Sequence, residues 1–227
     1  MYIGIIMKIK AVLFDLDGTL VNSLADLADS VNFTLQEFGF ATHENEKFKY
    51  FIGDGMQKLI ERVLPDDKKD NDSIKQVLSA FMCRYREHFA DKTVAYDGIY
   101  ELVNSLDKMN LKLAIVSNKA QDMAVEVTNK VLSGLNFDII CGKREGYPTK
   151  PDPTLTLEII NELGVKPSEC IFIGDSGMDM AVAKNAKVIG IGVLWGFRTE
   201  AELLENGADY IVNNPNEIAE IIKDINL

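Results

Sequence analysis

Short apolar runs recur along this chain with amphipathic stretches between them, and this alternation restricts the folds that the chain can adopt. The runs occupy residues 11–14, 113–116, 139–141, 170–173, 188–193 and 210–212. Runs of this length between polar residues are typical of strands that are buried on both faces of a parallel sheet. Strands that alternate with helices predict an α/β fold with a doubly wound parallel sheet, a Rossmann-like core.

The alternation is interrupted between residues 23 and 93, where helical periodicity continues without a convincing strand. Apolar side chains fall on one helical face in each of two sets, namely Leu24, Leu27, Ala28, Val31, Leu35 and Phe38, and Ile74, Val77, Leu78 and Phe81. We interpret residues 23–93 as a helical cap domain, inserted in a core domain of residues 1–22 and 94–227. A cap over the ends of the strands would exclude water from the chemistry there.

Cysteine content and hydropathy bear on where the protein works. A chain of 227 residues can bury a full core without disulfides, and its three cysteines form no close pair in the sequence. We therefore expect the reducing environment of the cytoplasm. Residues 2–6 are too short an apolar stretch for a signal peptide, and Met7 is an alternative start. Every longer apolar stretch is broken by charge or glycine, so we expect no membrane-spanning segment.

The charge of the chain limits its partners. A formal net charge of −11 disfavours nucleic acid and anionic membranes, which require clustered Lys and Arg. A phosphorylated substrate would need local cations, such as a metal ion and a lysine. The sequence leaves the oligomeric state open.

Polar residues stand where the predicted strands end. Asp15-Leu16-Asp17-Gly18-Thr19 follows the first run, and Ser117-Asn118 follows the second. Asp175, and Asp179 shortly after it, follow the fourth. In open α/β sheets the ligand lies beyond the carboxyl ends of the strands, so we expect these side chains to share one site.

Asp15 and Asp17, with Asp175 from another strand, can converge on a divalent cation that takes oxygen ligands. An Asp-x-Asp-Gly turn alone more often forms a surface calcium loop or a simple strand exit. The position at the end of a buried strand favours the metal site. The Ser117 hydroxyl and the Lys150 ammonium, which precedes a predicted helix, are candidates to bind phosphoryl oxygens.

Together these segments resemble the haloacid dehalogenase-like hydrolase superfamily, whose first motif, Asp-x-Asp-x-Thr, reads here Asp15-Leu16-Asp17-Gly18-Thr19. Ser117 matches the second motif, Lys150 the third, and Asp175 with Asp179 the fourth, in the family's order. The inserted segment resembles the helical cap of the subfamily that includes phosphoglycolate phosphatases and β-phosphoglucomutases. The likeness covers the whole chain.

The resemblance implies a phosphatase that depends on Mg²⁺ and acts on a small phosphorylated metabolite. Asp15 would be the nucleophile that forms an aspartyl-phosphate, and Asp17 would protonate the leaving oxygen and then deprotonate water. Asp15, Asp175 and the backbone carbonyl of Asp17 would hold the metal, with Asp179 in support. The phosphoryl oxygens would be bound by Ser117, Asn118 and Lys150.

The cap is expected to select the substrate. Residues 51–55, which contain Gly53-Asp54-Gly55, are similar to the cap loop of phosphoglycolate phosphatases, although the same glycines also suit a plain helix linker. We expect Gly53 and Asp54 to contact the substrate and Lys58 to meet a small carboxylate.

Other functions remain open at this point. A β-phosphoglucomutase-like mutase would use the same aspartyl-phosphate, and a pyrophosphatase or nucleotidase would share the phosphatase chemistry. A binding module without activity is disfavoured because all four motifs are intact.

Overall fold

The structure is a computed structural model that describes residues 8–227. The strands in chain order are β1 (Ala11–Phe14), β2 (Val21–Asn22), β3 (Val94–Ala95), β4 (Lys112–Ala120), β5 (Ile139–Lys143), β6 (Cys170–Gly174), β7 (Ile189–Val193) and β8 (Tyr210–Val212). The α-helices are α1 (Leu24–Glu37), α2 (Phe48–Phe51), α3 (Met56–Val63), α4 (Asn71–His88), α5 (Ile99–Lys108), α6 (Gln121–Val131), α7 (Thr154–Glu162), α8 (Gly177–Ala186), α9 (Glu200–Glu205) and α10 (Pro215–Ile225).

Six strands form one sheet in the order β5-β4-β1-β6-β7-β8, and every neighbouring pair is parallel. All six apolar runs are strands, so the prediction of a doubly wound parallel sheet is confirmed. The chain winds outward from β1 to β4 and β5 and then returns to the other side of β1 with β6. This reversal opens a crevice at the carboxyl ends of the central strands.

Alternate residues of each strand point to opposite faces, and each face is covered by helices. Val12 and Phe14 of β1 pack in one apolar cluster with buried residues of α5, α6 and α10. Ala11 and Leu13 pack in another with α7 and α8. The central strand is therefore dry on both sides, which explains its continuous apolar sequence.

The segment after β1 is helical, as predicted, and contains α1 to α4. Its buried residues form their own cluster, in which α1 and α4 pack together through residues such as Leu27, Val31, Val77 and Phe81. The segment is entered through β2 and left through β3, and these two short strands pair antiparallel. The assignment of residues 23–93 as a separate domain stays a prediction.

The alternative start at Met7 lies outside the described residues. Cys83, Cys141 and Cys170 are free thiols. Among residues 8–227, the helices are too short or too polar to cross a membrane.

Candidate active site

A tight turn after β1 carries the two carboxylates of the first motif. Strand pairing continues into it, since the Asp15 amide donates to the Ile173 carbonyl at 2.9 Å. Gly18 then adopts a φ of 92°, which favours glycine, and a side chain at this position would collide with the Asp175 carboxylate. Asp15 and Asp175 are thereby brought to neighbouring positions at the carboxyl ends of β1 and β6.

Three carboxylates meet here. Asp15, Asp175 and Asp179 each offer an oxygen, and these oxygens all lie within 4.8 Å of one another. The residues are 9%, 2% and 0% exposed, respectively. Such a dry group of oxygen ligands is the kind that hard divalent cations prefer.

Local contacts fix Asp175 and Asp179. The Oδ2 atom of Asp175 accepts the Phe197 amide at 2.8 Å, and its Oδ1 atom accepts the Thr19 hydroxyl at 3.3 Å. Asp179 lies in the first turn of α8, where its Oδ2 atom accepts the Ser176 amide at 3.0 Å and the Ser176 hydroxyl at 2.6 Å. This reciprocal cap at the start of α8 explains why an aspartate four residues after Asp175 points back into the site.

Lys150 lies between two of these carboxylates. Its Nζ atom donates to Asp15 Oδ1 at 2.8 Å, to Asp179 Oδ1 at 2.6 Å and to the Val116 carbonyl at 3.1 Å. The Lys150 amide donates to Asn118 Oδ1 at 2.9 Å, which ties the loop before α7 to the end of β4. The structure thus brings the first, third and fourth motifs into direct contact.

Burial and charge shift the pKa values of this group. Burial raises the pKa of Asp15 to about 6, Lys150 opposes that rise, and Asp179 adds to it. The pKa of Asp175 is raised well above its usual range by burial and by the carboxylates of Asp179 and Asp15. Burial disfavours the Lys150 ammonium, but the adjacent Asp15 and Asp179 outweigh it and raise the pKa of Lys150. The site favours additional positive charge.

Asp17 is held by Lys119, which is not among the predicted site residues. The Nζ atom of Lys119 donates to its two oxygens at 3.1 and 3.0 Å, and the Ser23 hydroxyl donates to Oδ1 at 2.5 Å. Lys119 lies in β4, two residues after Ser117, because this strand continues through the polar residues of the second motif. A lysine at this position gives no sequence signal that separates it from a solvated one.

Ser117 and Asn118 are both buried at the end of β4. The Ser117 hydroxyl accepts the Lys119 amide at 3.3 Å. The Asn118 side chain, besides holding the Lys150 amide, donates from Nδ2 to the Gly53 carbonyl at 3.1 Å. Asn118 therefore connects the sheet to the loop of the helical segment.

One cavity joins these residues to the helical segment. Asp15, Asp17 and the end of β4 line its sheet side. Its helical side is lined by Leu27, Ile52, Gly53, Gly55, Met56 and Leu59. Apart from the two glycines, this helical side consists of apolar side chains.

Two predicted cap residues lie away from this cavity. Lys58 is 58% exposed in its side chain and pairs with Glu61 at 2.5 Å, on the polar face of α3. Asp54 forms an ion pair with Arg62. Of the three predicted substrate contacts, the structure places only Gly53 at the cavity.

The carboxylates outnumber the ammonium groups in this site. The carboxylates and ammonium groups that contact one another here are those of Asp15, Asp17, Asp175, Asp179, Lys119 and Lys150, four of the first kind and two of the second. The difference equals the charge of one divalent cation, and the three clustered carboxylates offer the oxygen ligands for it. The donor set therefore fits a metal such as Mg²⁺.

Comparisons with known proteins show the family to which the chain belongs. The sequence model of the haloacid dehalogenase-like hydrolases matches residues 12–193. The phosphoglycolate phosphatase of Chromobacterium violaceum is 33% identical over 219 residues, which cover 95% of this chain and 97% of that protein. The phosphoglycolate phosphatase of Aquifex aeolicus is 30% identical over 217 residues, which cover 94% of this chain and 96% of that protein.

Solved structures share the fold. A crystal structure from Lactobacillus delbrueckii subsp. bulgaricus superposes with a TM-score of 0.88 and 30% identity, over 95% of this chain and 99% of that one. The chain therefore belongs to the haloacid dehalogenase-like hydrolase family, in its phosphoglycolate phosphatase-like subfamily, and is a phosphoric monoester hydrolase.

Proposed function

We propose that this protein is a Mg²⁺-dependent phosphatase of a small phosphorylated metabolite, 2-phosphoglycolate being the first candidate, and that it works through an aspartyl-phosphate on Asp15. The supporting observation is the buried group of Asp15, Asp175 and Asp179 around Lys150, at the carboxyl ends of the central strands. It combines a nucleophile, a fixed cation and an excess of oxygen ligands in one place.

In the first half of the proposed reaction, an oxygen of Asp15 attacks phosphorus and the bond from phosphorus to the substrate oxygen breaks. The substrate oxygen takes a proton from Asp17, and the leaving group departs as an alcohol. Lys150 contacts the attacking carboxylate at 2.8 Å, so its charge stands where the transferring oxygens will gather. Ser117 lines the cavity, and its hydroxyl would donate to those oxygens.

In the second half, water attacks the phosphorus of the aspartyl-phosphate and gives a proton to Asp17. The bond from phosphorus to Asp15 breaks, and inorganic phosphate leaves. The apolar side chains on the helical side of the cavity limit the entry of further water.

The residues that would hold Mg²⁺ are Asp15 and Asp175 through their carboxylates and Asp17 through its backbone carbonyl. When bound, the ion would supply a Lewis acid that withdraws charge from the phosphoryl oxygens. Asp179 contacts Lys150 through Oδ1 and Ser176 through Oδ2, and we propose that it supports the site by holding the Lys150 ammonium.

Metal removal is expected to abolish activity. Without a divalent cation the carboxylates repel one another and also repel a phosphate dianion. Protein dialysed against a chelator should release no phosphate from 2-phosphoglycolate, and added Mg²⁺ should restore release. Zn²⁺ and Ca²⁺ at equal concentration serve as comparison ions. Full activity of the metal-free protein would contradict the proposal.

Substrate size is proposed to depend on the loop at Gly53. Its carbonyl accepts from Asn118 at 3.1 Å, and its φ of 121° disfavours any side chain. Gly53→Leu is expected to lower kcat/KM for 2-phosphoglycolate at least tenfold, roughly the effect of misfitting a methylene or more in a pocket. The kcat/KM for acetyl phosphate, which has no carboxylate to be recognised and leaves as a stable anion, should fall much less.

The matched control for this change is Gly134→Leu, in a loop where a Cβ meets nothing within 4 Å and φ is 87°. It carries a similar backbone penalty far from the cavity, so it should leave kcat/KM unchanged for both substrates. Equal losses for both substrates in Gly53→Leu would show that the loop only links helices.

A panel of substrates separates the proposed phosphatase from its alternatives. We expect 2-phosphoglycolate to be hydrolysed with one phosphate released per turnover, whereas a mutase would convert a sugar phosphate without release. Pyrophosphate and nucleoside monophosphates cover the other two possibilities. We also propose a cytoplasmic location, since the three cysteines are free thiols.

A further inference from the structure

Lys119 has no part in the reaction as proposed so far, yet its ammonium is wholly buried. The side chain is 0% exposed. Its Nζ atom donates to both Asp17 oxygens and, at 2.9 Å, to the Tyr85 hydroxyl. An ammonium has three protons, so these contacts use all of them.

The Tyr85 side chain is buried and stacked on another ring. Tyr85 lies in α4 of the helical segment, is 0% exposed, and its ring stacks on Phe81 with centroids 5.6 Å apart and planes 14° from parallel. Lys119 lies in β4, in the central part of the sheet. The hydrogen bond between Lys119 and Tyr85 therefore connects the helical segment to the sheet. The same Lys119 ammonium also contacts Asp17.

We infer that Lys119 and Tyr85 are positioning residues for Asp17: they fix the carboxylate through the contacts with its two oxygens, and when Asp17 carries a proton Lys119 keeps one oxygen while the other faces the leaving oxygen. This inference rests on the proposed function, in which Asp17 is the proton donor. A proton donor must lie within hydrogen-bond reach of its target, and a misplacement of about 1 Å can cost about 10²-fold in rate. Because Tyr85 belongs to α4, the orientation of Asp17 depends on the helical segment lying against the sheet.

Leaving groups that differ in their need for a proton test this role. Ethyl phosphate and acetyl phosphate are similar in size, but ethanol leaves only with a proton whereas acetate leaves as a stable anion. The ratio kcat/KM reports the steps up to departure of the leaving group. Lys119→Met is expected to lower kcat/KM for ethyl phosphate and 2-phosphoglycolate about 10²-fold, and that for acetyl phosphate less than about tenfold.

Two further variants accompany this one. Tyr85→Phe keeps the stacked ring and removes only the hydroxyl, so it should give a smaller loss with the same dependence on the leaving group. If Lys119→Met does not fold, Tyr85→Phe alone shows whether the loss depends on the leaving group. The control is Lys112→Met, at the other end of β4, whose ammonium pairs with Asp138 at 2.8 Å on the surface. This control should leave kcat/KM unchanged for all three substrates.

The outcomes are distinct. Equal losses for ethyl and acetyl phosphate would make Lys119 a structural residue and overturn the inference. A loss confined to 2-phosphoglycolate would overturn it too, since Lys119 would then bind the substrate's carboxylate. A wild-type protein that hydrolyses none of the three would remove the proposed function itself, before any variant is compared.

Discussion

Replacing Asp15 with asparagine is expected to abolish turnover, with a loss on the order of 10⁶, as when a nucleophile is removed from a hydrolase. An amide oxygen is a far weaker nucleophile than a carboxylate, and asparagine can still accept the hydrogen bond that Lys150 donates at 2.8 Å. The fold should therefore persist while the chemistry is lost. Phosphate release from 2-phosphoglycolate measures turnover, and mass spectrometry of the acid-quenched variant should find no phosphorylated protein.

Asp17→Asn provides the matched comparison for Asp15→Asn, because it makes the same change two residues away. It should slow turnover by about 10² to 10⁴, the usual contribution of a general acid or base, and should still permit a phosphorylated protein. Asp138→Asn, at the opposite end of the sheet beside Lys112, should have no effect on turnover. Equal and mild losses in the first two variants would contradict the assigned roles.

Replacing Lys150 with methionine is expected to lower both stability and activity. Removal of one partner from a buried ion pair typically costs about 3–5 kcal/mol of unfolding free energy, because the remaining charge stays buried without compensation. Here two carboxylates, Asp15 and Asp179, lose their shared ammonium. Loss of a charge that stabilises the transition state should lower kcat by about 10² to 10³. Urea unfolding and steady-state kinetics measure these effects.

A double variant separates the two roles of Lys150. Adding Asp179→Asn to Lys150→Met removes one uncompensated carboxylate, so part of the lost stability should return without recovery of activity. Lys112→Met removes an exposed lysine from an ion pair and should leave unfolding nearly unchanged. Wild-type stability and kinetics in Lys150→Met would place this side chain outside the site.

The strands of the sheet were predictable because their environment is uniform. β1 is covered on both faces, so its four residues are all apolar and the run ends where the site begins. β4 continues beyond the predicted residue 116 to Ala120, since Ser117, Asn118 and Lys119 are polar residues within a strand. β2 and β3 have only two residues each, which is too few to show the alternation of apolar and polar residues that predicts a strand.

The candidate site was predicted in part. Asp15, Lys150 and Asp175 come together because each stands at a strand or helix end that meets the same crevice. The expected contact of Lys58 with a substrate carboxylate stays a prediction; its helix carried a signal for an exposed position, because Leu59, Ile60 and Val63 mark the buried face of α3. Lys119 could not be found, because its partner Tyr85 is 34 residues away and only the fold brings them together.

The antiparallel pair of β2 and β3 has a consequence for how such a protein can diverge. Val21 lies beside Ala95, so the chain leaves the sheet and comes back at almost the same point. The length and sequence of what lies between are therefore not limited by the register of β1 with β4 and β6. If the helical interval selects the leaving group, as proposed, recombination or insertion there would change the accepted substrate while the phosphoryl-transfer residues on the sheet stay in place.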